Sequence, residues 1–227
     1  MQTPDIIIAV DGGASTGKST FARSLAAELG FLYLDSGAIY RCVTHFALQR
    51  KLIDSSGAVS PELENVLGEL DFSFSPEGHA CIDGKSVERS IRSLKVSSRV
   101  SVISALPYVR RFVDEILHRL GSCGRLVMDG RDIGTTVFPN AELKIFVTAS
   151  EQVRAKRRYD EMLSKGETPT MEEVLANLRE RDYIDSHRAT SPLRKADDAF
   201  VLDNSDLTVR EEIIWTLGLI RGKFGIL

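Results

Sequence analysis

The chain has 227 residues, with 29 Lys and Arg set against 32 Asp and Glu and a formal net charge of −3. That length suits one large domain or a core with inserts, and the charge balance excludes a generally basic protein, so no nucleic-acid polymer is expected as a partner. No apolar run approaches the roughly 18 residues of a membrane span. Met1-Gln2-Thr3-Pro4-Asp5 lacks the basic and apolar parts of a signal peptide. Cys42, Cys81 and Cys123 are widely spaced and form no C-x-x-C, which fits reduced thiols better than a disulfide or zinc framework. A cytoplasmic location is therefore expected, without a membrane. A monomer is expected too, because no long apolar stripe asks for a partner.

Ile6-Ile7-Ile8-Ala9-Val10 is a continuous apolar run, as a strand buried on both faces of a parallel sheet requires. Directly after it, Gly12-Gly13-Ala14-Ser15-Thr16-Gly17-Lys18-Ser19 matches G-x-x-x-x-G-K-[ST] at every fixed position. Phe21, Ala22, Leu25, Ala26 and Leu29 then share one helical face, and Gly30 stands where a left-handed cap belongs. A glycine-rich turn between strand and helix lets backbone N–H groups close around phosphate oxygens, and the helix N-terminus adds positive potential. Lys18 then reaches the outer phosphates and the Ser19 hydroxyl offers Mg²⁺ a ligand.

Phe31-Leu32-Tyr33-Leu34 reads as a second strand, running into Asp35-Ser36-Gly37 and a helix with Ile39, Tyr40, Val43 and Ala47 on one side. Ser60-Pro61 opens a helical segment through Leu63, Val66, Leu67 and Leu70. Between Asp71 and Ile82 polar and apolar residues alternate, and Pro76-Glu77-Gly78 and Asp83-Gly84 give turn signals, so a small antiparallel meander is inserted here. Ile91 to Ala105 reads as one helix, and Pro107 opens another whose stripe is Val109, Phe112, Val113, Ile116 and Leu117.

Arg125 to Asp129 and Leu143 to Val147 are the next core strands. Ser150 caps a helix that carries Arg154, Arg157 and Arg158 and ends at Gly166. Thr170 with Glu173 makes a capping box for a helix through Val174, Leu175 and Leu178. Ala199 to Leu202 is the last strand, and Thr208 with Glu211 caps a terminal helix through Ile213, Ile214 and Leu217. Strands alternating with helices predict an α/β fold: a five-stranded parallel sheet covered by helices on both faces, with right-handed crossovers.

Asp129 closes an apolar strand, where a P-loop protein commonly places an acid that holds Mg²⁺ directly or through water. Arg154, Arg157 and Arg158 fall at i, i+3 and i+4, and Arg181, Asp185 and Arg188 at i, i+4 and i+7, so each set shares a helical face. A triphosphate and its transferring phosphoryl group favour such planar, always-charged side chains. Arg41, Arg92, Arg110 and Arg131 lie around Asp35-Ser36 and the insert, where an acceptor phosphate needs its own clamp. Phosphoryl transfer between bound anions needs no protein nucleophile. His45, His79, His118 and His187 show no metal-ligand spacing.

Asp11 to Thr20, Leu34-Asp35-Ser36-Gly37-Ala38-Ile39-Tyr40-Arg41, Asp129 to Pro139, and Arg181-Asp182 with Asp185 and Arg188 together resemble the bacterial cytidylate kinases, collinearly over nearly the whole chain. Gly13 departs from the proline common there, and Ser19 replaces the glycine of some members. The resemblance implies transfer of the γ-phosphoryl of ATP to CMP or dCMP with Mg²⁺. Gly12, Gly13, Ala14, Ser15, Thr16, Gly17, Lys18, Ser19 and Thr20 would bind ATP, and Ser19 and Asp129 the metal. Catalysis would rest on Lys18, Arg131, Arg158, Arg181 and Arg188. The same resemblance puts Asp35, Ser36, Tyr40, Arg41, Arg92 and Arg131 on the acceptor side, with Ser36, Arg41, Arg92 and Arg131 at its phosphate. Arg181, Asp185 and Arg188 would reach ribose and phosphates. Ser101, Arg110 and Asp132 would meet cytosine, where a carboxylate accepts from N4 and a guanidinium donates to N3 or O2. Uracil mismatches both hydrogen bonds. The implied domains are a core (1–37, 107–154 and 171–227), a monophosphate-binding subdomain (38–106, with its insert at about 60–105) and a lid (155–170).

Two other readings compete. Kinases for AMP, UMP or shikimate share the phosphate loop, but adenylate kinases usually read Asp-Gly-Phe-Pro-Arg where this chain has Asp129-Gly130-Arg131-Asp132. A GTPase-like switch would carry Asn-Lys-x-Asp, and none occurs.

Overall fold

The computed structural model describes residues 5–75, 78–121 and 124–225. Met1 to Pro4, the Pro76-Glu77 turn and Cys123 lie outside the described residues. In chain order come β1 (Ile7–Gly12), α1 (Lys18–Leu29), β2 (Leu32–Asp35), α2 (Ser36–Gln49) and α3 (Glu62–Val66). Then follow β3 (Phe72–Phe74), β4 (Ala80–Ile82), β5 (Lys85–Ser86), α4 (Glu88–Ile91), α5 (Leu94–Ser97), α6 (Val100–Ser104) and α7 (Pro107–Gly121). The last are β6 (Leu126–Gly130), β7 (Leu143–Thr148), α8 (Glu151–Ser164), α9 (Met171–His187), β8 (Phe200–Asp203) and α10 (Val209–Phe224).

Two compact units divide the chain: Met1–Leu34 with Gly121–Leu227, and Asp35–Leu120. The first is built on the five-stranded parallel sheet, in the order β2-β6-β1-β7-β8. Hydrophobicity alone puts β1 in its middle: Ile8, Ala9 and Val10 have no exposed surface, and neither does Val127 of β6 or Val147 of β7. Parallel register pairs Asp11 with Gly130 and Gly12 with Val147, so β1, β6 and β7 end level. One face is packed by Phe21, Ala22, Leu25 and Leu29 of α1, together with Ile220 of α10. Burying a Phe, Leu or Ile side chain of this set is worth roughly 1.5–3 kcal/mol of transfer free energy. Gly30 caps α1 at φ 65°, and Thr170/Glu173 and Thr208/Glu211 form complete capping boxes.

The second unit is made of short elements. β3, β4 and β5 form the antiparallel meander, closed between β4 and β5 by Asp83 and Gly84 at φ 51° and 70°. The single helix expected over Ile91 to Ala105 is instead the end of α4, then α5 and α6 as separate turns. Serine explains the breaks. Ser93 Oγ donates to the Ser90 carbonyl at 2.7 Å and Ser98 Oγ to the Lys95 carbonyl at 3.3 Å, local bonds that compete with a continuous helical ladder.

Candidate active site

The loop from Gly12 to Ser19 leaves the middle strand and enters α1. Gly12 is required by close approach: a Cβ there would stand 2.3 Å from the Val147 carbonyl oxygen. Ser15 and Gly17 turn the chain through positive φ, 57° and 86°, which curls successive N–H groups toward one concavity. Lys18 is 7% exposed and folds back so that Nζ donates to the Gly13 carbonyl at 3.2 Å. Thr16 Oγ1 donates to the same carbonyl at 3.2 Å.

The loop is held from outside by α8 and α9. Arg154 Nη1 donates to the Ala14 carbonyl at 3.2 Å and to Asp182 Oδ2 at 2.6 Å, while Asp182 Oδ1 accepts from the Ala14 N–H at 3.3 Å. Arg157 Nη1 donates to the Thr16 carbonyl at 2.9 Å, a carbonyl it shares with the buried Asn204 amide at 2.9 Å. Asn204 also donates to Glu212 Oε1 at 3.1 Å, and burial pushes the Glu212 carboxyl above its ordinary range. Sequence reading grouped the arginines of α8, but it named only Arg158 as a site residue. Asn204 follows β8 as Asp129 ends β6, so the strand-end signal was present there too. Arg158 pairs with Glu161 at 2.9 Å. Both line a cavity of about 370 Å³ beside the loop, with Ser15, Gly17, Thr20 and Leu207.

At the end of β6, Ser19 Oγ donates to Asp129 Oδ2 at 2.6 Å. A hydroxyl and a carboxylate side by side are the hard oxygen donors that suit Mg²⁺, which keeps several waters and takes its other ligands from substrate phosphates. Asp129 is 2% exposed. Three residues on, Asp132 Oδ1 accepts from Arg188 Nη2 at 3.1 Å, and Arg188 also donates to the Ser191 carbonyl at 2.6 Å. Arg131 Nε donates to Asp185 Oδ2 at 2.7 Å. Burial works against the Asp185 charge, but Arg131, Arg188 and Arg181 outweigh it and hold its carboxyl below the usual range. The face predicted for Arg181, Asp185 and Arg188 is therefore real, with Arg188 capping α9. Asp11 fixes the turn after Asp132: its two oxygens accept from the Ile133 and Gly134 N–H groups, each at 2.8 Å. Burial raises the Asp11 carboxyl to about 6 despite those donors.

The second unit gathers the other predicted residues into two groups. Asp35 caps α2, accepting from the Ala38 N–H at 3.2 Å, and it also meets Arg41 Nη1 at 3.2 Å and Arg92 Nη2 at 3.5 Å. Ser36 is the first residue of α2 and is buried. In the second group Arg110, 1% exposed, lies 5.4 Å from the Tyr40 ring centroid and donates from Nη1 to the Ser104 carbonyl at 3.1 Å. Ser104 Oγ in turn donates to the Ser101 carbonyl at 3.1 Å. Among the described residues no group of three or more His, Cys, Asp or Glu side chains is placed to hold a metal.

A phosphate loop at the end of the middle strand of a parallel sheet, with a hydroxyl–carboxylate pair and ordered guanidinium groups beside it, defines a P-loop kinase. Residues 8–220 match the family model described as cytidylate kinase. The chain is 48% identical to a Bacteroides fragilis cytidylate kinase over 217 residues, 93% of this chain and 95% of that one. It is 47% identical to a Porphyromonas gingivalis cytidylate kinase, over 95% of this chain and 96% of the relative. The chain belongs to the cytidylate kinase family. A crystal structure of an uncharacterized protein from Eubacterium ventriosum shares the fold, with a TM-score of 0.51 at 10% identity over 95% of this chain and 98% of that one.

Proposed function

We propose that the protein transfers the γ-phosphoryl group of ATP to CMP or dCMP, giving ADP and CDP or dCDP. The observation that carries this reading is the exit of β6. Within four residues it presents a carboxylate beside the Ser19 hydroxyl, a guanidinium locked to Asp185 and a buried carboxylate locked to Arg188. Phosphoryl transfer asks for those three things, charge neutralisation, positioning and recognition, and for no nucleophile from the protein.

In this reading the loop amides and Lys18 cradle the phosphates of ATP, and its nucleoside occupies the cavity lined by Gly17, Arg157, Asn204 and Leu207. Ser19 and Asp129 hold Mg²⁺, which when bound neutralises charge shared by the outer phosphates. Arg131, Arg158, Arg181 and Arg188 stabilise charge on the transferring group. Ser36, Arg41 and Arg92 hold the acceptor phosphate, and Ser101, Arg110 and Asp132 read cytosine against uracil. Within the lid assigned to 155–170, Arg157 stays tied to the loop at the Thr16 carbonyl, so closure falls to its distal corner around Gly166, at φ 81°.

A coupled ADP-release assay over CMP, dCMP, UMP, AMP and shikimate tests the proposal. Turnover with the two cytidine nucleotides well above the others is expected. No rate with either would overturn it.

A further inference from the structure

Asp129 is a buried carboxylate with a hydroxyl on each oxygen. Ser19 Oγ donates to Oδ2 at 2.6 Å, and Tyr33 Oη donates to Oδ1 at 2.7 Å. The tyrosine comes from β2, which the strand order places next to β6. Its neighbours Leu32 and Leu34 point to the opposite side of the sheet by the period of a strand. The Tyr33 ring packs on the cluster that contains Phe21 and Leu25 of α1, and the Arg23 guanidinium lies over it, 5.1 Å from its centroid. A side chain so wedged has little freedom to carry its hydroxyl elsewhere. The phosphate-loop motif does not include this position, and the sequence reading assigned it no role beyond the strand.

We propose that Tyr33 is a positioning residue for the magnesium site, holding the Asp129 carboxylate turned toward Ser19. The proposal rests on the reading of Ser19 and Asp129 as the magnesium pair. A hydroxyl bonded to a carboxylate fixes its rotation, and O–H···O⁻ bonds of this length are among the stronger ones. With Asp129 oriented, Ser19 spends its proton on Oδ2 and keeps its oxygen lone pairs for the ion. The cation above the ring draws electron density from the phenol and strengthens its O–H as a donor. Outer partners of this kind change metal affinity by about 10–100-fold when removed.

The test is Tyr33→Phe, which keeps the packed ring and deletes only the hydroxyl. Mg²⁺ affinity of the ADP-loaded protein is measured by displacement of Mn²⁺, followed by electron paramagnetic resonance, and nucleotide affinity is measured separately in EDTA. A Mg²⁺ dissociation constant raised about 10-fold, with ADP affinity in EDTA and the melting temperature unchanged, is expected. Arg23→Gln gives a smaller shift in the same direction. Unchanged Mg²⁺ affinity in Tyr33→Phe overturns the proposal if Asp129→Asn in parallel weakens the metal. If Asp129→Asn also leaves Mg²⁺ affinity unchanged, the magnesium pair itself is wrong and the proposal falls with it. Equal losses of ADP affinity with and without metal would assign Tyr33 to general packing and likewise reject it.

Discussion

Two clusters of arginines, one in each compact unit, are held in opposite ways. In the first, Arg188 has a side chain 5% exposed and Arg154 14%, and both are committed to a carboxylate and a backbone carbonyl. Around Asp35 in the second, Arg41 is 25% exposed and Arg92 40%; they share the Asp35 carboxylate, and Arg92 also pairs with Glu88 at 2.5 Å. Buried guanidinium groups tied to a carboxylate and a backbone carbonyl are already organised, so a ligand arriving there meets charges whose ordering cost was met on folding. Two half-exposed arginines on one carboxylate are held close to each other yet easily handed over. A phosphate dianion can replace the single Asp35 charge that gathers them. On the proposed function, the ATP side is preformed and the monophosphate side is poised.

The largest effect that would sharpen this contrast is at Lys18. Lys18→Ala removes an ammonium folded over the loop, and kcat should fall about 10²–10³-fold, the scale of losing one charge-stabilising donor, with the circular dichroism melt unaltered. Normal turnover in a steady-state assay would remove the preformed half from the mechanism altogether.

Next in size is Asp185→Ala. It strips the carboxylate from Arg131, 2.7 Å away, and leaves two largely buried guanidinium groups facing each other. Breaking such a pair costs about 3 kcal/mol, read as a lowered urea midpoint. The pH dependence has a definite sign. Because the folded-state carboxyl lies below its ordinary value, its stabilisation is present above the unfolded pKa of about 3.9 and is lost as pH falls through the folded value. Asp185→Asn should therefore lose less stability than the parent on acidification below pH 4. Parallel acid curves would mean that Asp185 is no more committed than Asp35.

How much of this contrast could be read from the chain before its structure depends on range. The preformed half rests on local signals: an apolar run into Gly12–Ser19, an acid at a strand end, arginines at helical spacing, and capping boxes at Thr170 and Thr208. Each of those has its counterpart in the fold. What stayed hidden was pairwise and distant in sequence. Arg154 with Asp182, Arg157 with Asn204, and Tyr33 with Asp129 are separated by 28, 47 and 96 residues, and no periodicity encodes such pairs. In the second unit the obstacle was local instead. Ile91 to Ala105 has helical spacing of its apolar residues, yet the serines among them take carbonyls for themselves.

Asp132 offers a finer test, because it belongs to the preformed set yet is assigned to the base. Its Oδ1 is already engaged by Arg188, so the carboxylate cannot rotate freely to suit an acceptor. Asp132→Ala should cost about 1–3 kcal/mol of CMP-over-UMP discrimination in kcat/KM. An unchanged preference would leave the acid as a partner of Arg188 alone.

The smallest expected effect is the one that probes the poised half directly. Asp35 does two jobs: it caps α2 through the Ala38 N–H and gathers Arg41 and Arg92. Asparagine caps a helix about as well as aspartate but carries no charge, so Asp35→Asn separates the jobs. Stability should stay within about 0.5 kcal/mol of the parent. The two arginines, no longer joined by a shared carboxylate, would spread, Arg92 staying with Glu88 at 2.5 Å, and the KM for CMP should rise about 5-fold, the scale of two exposed ion pairs. The KM for ATP should not move, since Arg154, Arg157, Asp182 and Asn204, which hold the phosphate loop, all lie in the first unit. A matching rise for ATP would show that Asp35 supports both substrates, and the division into a preformed and a poised half would fail at that residue.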